Sequence, residues 1–177
     1  MPAARCSLAE LNRLDAEGFV ALLGSVFEHS PWIARAAYGA RPFGSVAELH
    51  AAMLRVVADA GADKQLWLLQ AHPMLAKSAP DTLTAASAAE QAGIGLDRSA
   101  ADETAVLDAL NRAYRARFGF PFIIAVRGQR DRGAILAALQ ARVHNAPDHE
   151  RATALAEVAK IARFRLQDLI AENGDAE

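Results

Sequence analysis

Apolar residues recur along this chain at steps of three and four. Polar caps and glycine or proline stops separate the runs, which is the grammar of a helical protein. "SLAELNRLDAEGFVALLG" opens with Ser7 and Glu10 at capping-box spacing. Leu8, Leu11, Leu14, Phe19 and Leu22 form its stripe, with one five-residue gap around Gly18, and predict one helix. Ser30-Pro31 predicts a second helix start, and Ser45 with Glu48 a third, ended by Gly61. "DKQLWLLQAHP" reads as a short apolar helix stopped by Pro73. "KSAPDTLTA" reads as a polar loop, and "SAAEQAG" as one or two helical turns ending near Gly93. Ser99 with Asp102 starts a long helix through "ETAVLDALNRAYRARF", and Asp131 caps the next. Asn145 to Pro147 break that one, and Asp148 starts a last helix that Asn173-Gly174 end.

One segment departs from this pattern. "FGFPFIIAV", Phe118 to Val126, is aromatic and β-branched, with Gly119 and Pro121 inside it. Regular helix is disfavoured there, and no second strand-like run is visible to pair with it. Its N–H and C=O groups, once buried, need partners from side chains, water or a ligand. A buried connection satisfied by side chains and water is the simpler reading. The expected fold is therefore all-α: one domain over 1–177, a bundle of about eight helices with one short extended segment near 118–126.

Composition narrows the function classes. The 177 residues are 53% apolar and 23% charged, so the chain is neither disordered nor a membrane protein. A net charge of −2 gives no basic surface for nucleic acid or anionic lipid. The single cysteine, Cys6, rules out a disulfide within the chain and fits a reducing, cytoplasmic setting. No run reaches the roughly 18 apolar residues of a membrane span, and no signal-peptide core or peroxisomal Ser-Lys-Leu ending is visible.

The candidate chemistry is sparse. The five histidines (His29, His50, His72, His144 and His149) contain no i, i+4 pair, and there is no Cys-x-x-Cys, so no metal site is expected. Gly-rich phosphate loops and a Gly-x-Ser-x-Gly elbow are also absent. His72, after Leu66, Trp67, Leu68 and Leu69, is the best acid/base candidate; the alternative is a histidine bonding the last carbonyls of its helix. Ser87, Glu90 and Gln91 share one face if helical, offering a hydroxyl, a carboxylate and an amide to a polar heterocycle; the alternative is a capping box. Arg165 interrupts the apolar row of Ile161 and Leu169 and can bind a carboxylate, or can snorkel off the helix edge. Arg163 shares a more polar side with Gln167. "FEHSPWIA" reads as a packing corner of Phe27, Pro31 and Trp32, with His29 structural.

Five stretches in order carry a resemblance: "VFEHSPWIA", "AHPMLA", "SAAEQAGIGL", "LNRAYRARFGFPFIIAVRG" and "IARFRLQDL". Over nearly its whole length the chain resembles the decarboxylases of 2-oxo-4-hydroxy-4-carboxy-5-ureidoimidazoline (OHCU), which act in uric acid degradation. The resemblance implies an all-helical, cofactor-free, usually homodimeric enzyme that releases carbon dioxide from OHCU and yields S-allantoin. It places the catalytic histidine of a His-Pro-x-Leu-Ala motif on His72, with Glu90 as its catalytic partner. Substrate contacts fall on Pro73, Ser87, Gln91, the run Phe122, Ile123, Ile124, Ala125 and Val126, and Arg165, with Arg163 the near competitor. One departure is visible: the family usually has an acidic residue where this chain has Met74. A helical module that binds an allantoin-like ligand without turnover is the alternative. The presence of His72, Glu90 and Arg165 together speaks against it.

Overall fold

The computed structural model describes residues 5–75, 84–93 and 101–171, with side chains described from 105 onward in the last range. The chain is all-α: nine α-helices and one 3-10 turn occur among the described residues. None of these helices is long and apolar enough to cross a membrane. Two compact units are present, one formed by 1–68 with 161–177, the other by 69–160.

The first unit holds α1 (Leu8–Arg13), α2 (Ala16–Leu23), α3 (Pro31–Ala37), a 3-10 turn (Tyr38–Ala40) and α4 (Val46–Asp59). Most of α5 (Gly61–Gln70) and the C-terminal part of α9 (Pro147–Leu169) also belong to it. Leu11, Phe19, Leu23, Ile33, Leu49 and Met53 are among its fully buried apolar side chains. The capping box is formed: Ser7 accepts from the Glu10 amide, and Glu10 accepts from the Ser7 amide.

The first predicted helix is in fact two. Asp15 accepts from the Gly18 amide at 2.8 Å and restarts the helix, while Arg41 Nη1 takes the carbonyls of Asn12 and Leu14. The five-residue gap in the apolar stripe marked this break. Ser45 caps α4 as expected, but Glu48 accepts from Gly44 rather than from Ser45. A short parallel sheet pairs β1 (Cys6–Ser7) with β2 (Ile170–Ala171), which the sequence did not announce because each strand has only two residues.

The second unit contains α6 (Ala85–Gly93), α7 (Ala101–Phe118), α8 (Arg132–Arg142) and the first turns of α9. Asp131 caps α8 through the Ala134 amide at 2.8 Å. The last helix starts at Pro147 rather than Asp148, because proline at the first helical position gives up an N–H that has no partner there anyway. The same helix ends at Leu169; the expected Asn173-Gly174 stop lies outside the described residues, as do Ser99 and most of the "KSAPDTLTA" loop. Residues 121–126 adopt neither helix nor strand: Gly119, at φ +79, closes α7 by donating its amide to Arg115, and the chain leaves the helix there. Phe120 through Val126 are nonetheless all buried.

Candidate active site

Helix α5 ends at Gln70, and His72 lies in the turn that follows, where its amide donates to the Leu69 carbonyl at 3.3 Å. The His72 side chain is 7% exposed, so the imidazole is set into the protein rather than splayed off a helix end. Pro73 and Met74 are half-buried and Leu75 is buried. Asn111 of α7 secures this turn: its Nδ2 donates to the Leu75 carbonyl at 3.2 Å. Asn111 is fully buried, and its Oδ1 has no hydrogen-bond partner among the described residues.

Ser87, Glu90 and Gln91 all lie inside α6, so the i, i+3, i+4 spacing places them on one face. The capping-box alternative fails on geometry. Thr84 starts this helix, its Oγ1 accepting from the Ser87 amide at 3.2 Å and its carbonyl from Ala88 at 2.9 Å. Ser87 and Gln91 are buried while Glu90 is half-buried. A buried hydroxyl and a buried amide on one helix face make a built polar surface, since such groups are otherwise costly to bury.

The run Phe122 to Val126 is held by side chains from α8 and α9. Arg142 Nη1 donates to the Ile123 carbonyl at 2.8 Å, and its guanidinium lies 4.5 Å above the Phe122 ring. The Ala125 amide donates to Glu157 Oε2 at 2.8 Å. Gln129 Nε2 donates to the Ala125 carbonyl at 3.2 Å, and the Gln129 amide to that of Val126 at 3.0 Å. Arg142 is itself fixed by Glu150, whose Oε1 accepts from Arg142 Nε and Nη2 at 2.9 and 2.6 Å. The same oxygen accepts the Tyr114 hydroxyl, and Asn145 Nδ2 donates to Glu150 Oε2 at 2.6 Å. Burial, and then the bond to Glu150, push the Tyr114 phenol well above the usual tyrosine range. Tyr114 also sits among Phe118, Phe120 and Phe122, with ring centroids at 4.6, 5.9 and 5.3 Å.

Arg165 belongs to the first unit and is 5% exposed, whereas Arg163 is exposed. Its Nη1 donates to Glu28 Oε2 at 2.9 Å and lies 3.3 and 3.4 Å from the carbonyls of Ser25 and Val26. Glu28 is fully buried, and His29 beside it holds φ at +45, the left-handed region that side chains seldom adopt. Snorkelling is thus not the state of Arg165. The "FEHSPWIA" corner, read as packing, also carries the carboxylate that fixes this arginine.

The whole chain has close relatives. The family model described as OHCU decarboxylase matches residues 12–167. This protein belongs to the OHCU decarboxylase family. A relative from Haloferax volcanii, named 2-oxo-4-hydroxy-4-carboxy-5-ureidoimidazoline decarboxylase, is 46% identical over 162 residues, covering 92% of this chain and 95% of that protein. Another with the same name, from Halalkalicoccus jeotgali, is 41% identical over 165 residues, covering 93% and 92%. Among solved structures, an (S)-allantoin synthase superposes with a TM-score of 0.69 at 34% identity, over 93% of this chain and 54% of that one. Sequence reasoning singled out the histidine turn, the α6 face and the run Phe122 to Val126, and the structure buries His72, Ser87, Gln91 and that run. The same reasoning missed Glu28, Asn111, Arg142, Glu150 and Glu157. Glu28 and Asn111 stood inside two of the quoted motifs; Arg142, Glu150 and Glu157 gave no signal of their own.

Proposed function

We propose that this protein decarboxylates OHCU to (S)-allantoin in uric acid degradation, as one catalytic domain over 1–177. The observation that carries this reading is the 46% identity to an OHCU decarboxylase across 95% of that relative's length. The family match over 12–167 runs through both compact units and supports a single functional domain.

The chemistry needs three things: a sink for the electron pair of the broken C–CO₂ bond, a fixed orientation for that bond, and a proton delivered to one face of the carbon. The substrate's imidazoline carbonyl and adjacent nitrogen form the sink, so the scheme uses no cofactor. His72 sits beside the reacting carbon and moves the proton, and Glu90 holds a ring or ureido N–H and tunes His72. Ser87 and Gln91 read the ureido arm, Pro73 shapes the turn against the ring, and the main chain of Phe122 to Val126 supplies in-plane hydrogen bonds. Arg165, rather than Arg163, pairs with a substrate oxygen; its burial supports that choice. The resemblance further supports a homodimer, and the single cysteine supports a cytoplasmic setting.

The test is to generate OHCU in situ from urate, add the purified protein and follow the circular dichroism of allantoin. Acceleration of the S-allantoin signal is expected, and His72→Ala should slow it on the order of 10²-fold or more. Allantoin binding without any acceleration would replace the enzyme reading with that of a ligand-binding module.

A further inference from the structure

The stretch Phe122 to Val126 has no sheet or helix to hold it, yet a main chain that reads a flat heterocycle must be fixed to within a fraction of an ångström. Two side chains from different helices fix it at alternate residues. Arg142 of α8 takes the Ile123 carbonyl at 2.8 Å, and Glu157 of α9 takes the Ala125 amide at 2.8 Å. Both are themselves secured: Arg142 by Glu150, and Glu157 by Lys160 Nζ on its Oε1 at 2.6 Å. Across a planar trans peptide the C=O of one residue and the N–H of the next point in opposite directions. The Ile124 N–H therefore points away from Arg142, which holds the Ile123 carbonyl, and the Ile124 C=O points away from Glu157, which holds the Ala125 amide.

We propose that Arg142 and Glu157 are positioning residues of the decarboxylase. They clamp the main chain on one edge so that the N–H and C=O of Ile124 present a paired donor and acceptor to the cyclic amide of the substrate. A cyclic N–C=O unit offers the complementary acceptor and donor in one plane, so the pair selects an imidazolone-type ring. The inference rests on the proposed function and adds to it which peptide meets the ligand and what holds it there.

Two measurements test it. In ¹⁵N-labelled wild-type protein titrated with (S)-allantoin, the Ile124 amide should shift and its hydrogen exchange should slow. The Ala125 amide, already bonded to Glu157, should change least within 122–126. The largest change at Ala125, with little at Ile124, would overturn the clamp and leave the function standing. No change anywhere in the segment would remove the clamp and the segment's contact with the ligand, while decarboxylation is read separately from the circular dichroism of allantoin. In kinetics, Glu157→Leu should raise KM for OHCU about tenfold, the size of one charge-assisted hydrogen bond, with kcat much less affected. Glu157→Gln keeps an acceptor oxygen and should restore KM most of the way. A residue that merely stabilises the fold would lower the melting temperature and leave KM alone, and that result in both variants would refute a positioning role.

Discussion

Two arginine–glutamate pairs, one in each compact unit and each with a fully buried carboxylate, use the same chemistry for different ends. Glu150 receives hydrogen bonds from Tyr114, Arg142 and Asn145, and Arg142 Nη1 donates to the Ile123 carbonyl. That network closes on itself around a helix start and ends on main chain. Glu28, by contrast, lies in the turn between α2 and α3, next to a histidine at φ +45. It accepts from Arg165, whose Nη1 also reaches two carbonyls of the same turn, while its Oε1 stands 3.9 Å from the His29 imidazole. One pair ties helices to a segment; the other ties a strained turn to the arginine that we propose pairs with substrate. A buried ion pair is therefore not by itself a mark of function. What its spare bonds reach decides its use.

The comparison is open to direct attack. The largest stability loss should come from Glu150→Ala, which leaves the half-buried Arg142 guanidinium, the Tyr114 hydroxyl and Asn145 without their shared carboxylate and should cost about 3 kcal/mol in urea unfolding. A loss below about 1 kcal/mol would mean the network is not the closed support described here. Glu28→Gln keeps the shape and an acceptor, so its stability loss should be smaller, about 2 kcal/mol, with the main effect on KM for OHCU. An unchanged KM would give the Glu28–Arg165 pair a structural role alone.

The smallest effect belongs to Tyr114→Phe, which should cost about 1–2 kcal/mol at neutral pH by removing one bond to a carboxylate. Its pH dependence has a definite sign. The folded phenol is held above the ordinary value of about 10, so above that pH the unfolded chain loses its proton first. Wild-type stability then falls as pH rises, and the gap to Tyr114→Phe should narrow in alkaline urea melts. A constant gap from pH 8 to 11 would mean the phenol titrates normally.

The helices were legible because their signals are local. Ser7 with Glu10, Ser45 and Asp131 each cap the helix expected of them, since a cap joins residues three apart in sequence. Errors came where a distant residue intervened. Arg41 capped α1 from 27 to 29 residues away, and the two-residue strands Cys6–Ser7 and Ile170–Ala171 met from opposite ends of the chain. Ser87 was ambiguous until Thr84 was seen to start α6.

By itself the sequence determined the all-α fold, the family and the residues that carry its motifs, because apolar periodicity, caps and short motifs are written in neighbouring positions. Only the tertiary structure decided that Arg165 is buried on Glu28, that Asn111 secures the turn after His72, and that Arg142 and Glu157 hold the run around Ile124. Those partners lie 19 to 137 residues apart. A glutamate on a helix carries no sign of which distant amide it will meet. That choice is made when packing removes water and each buried polar group must find the partner within reach.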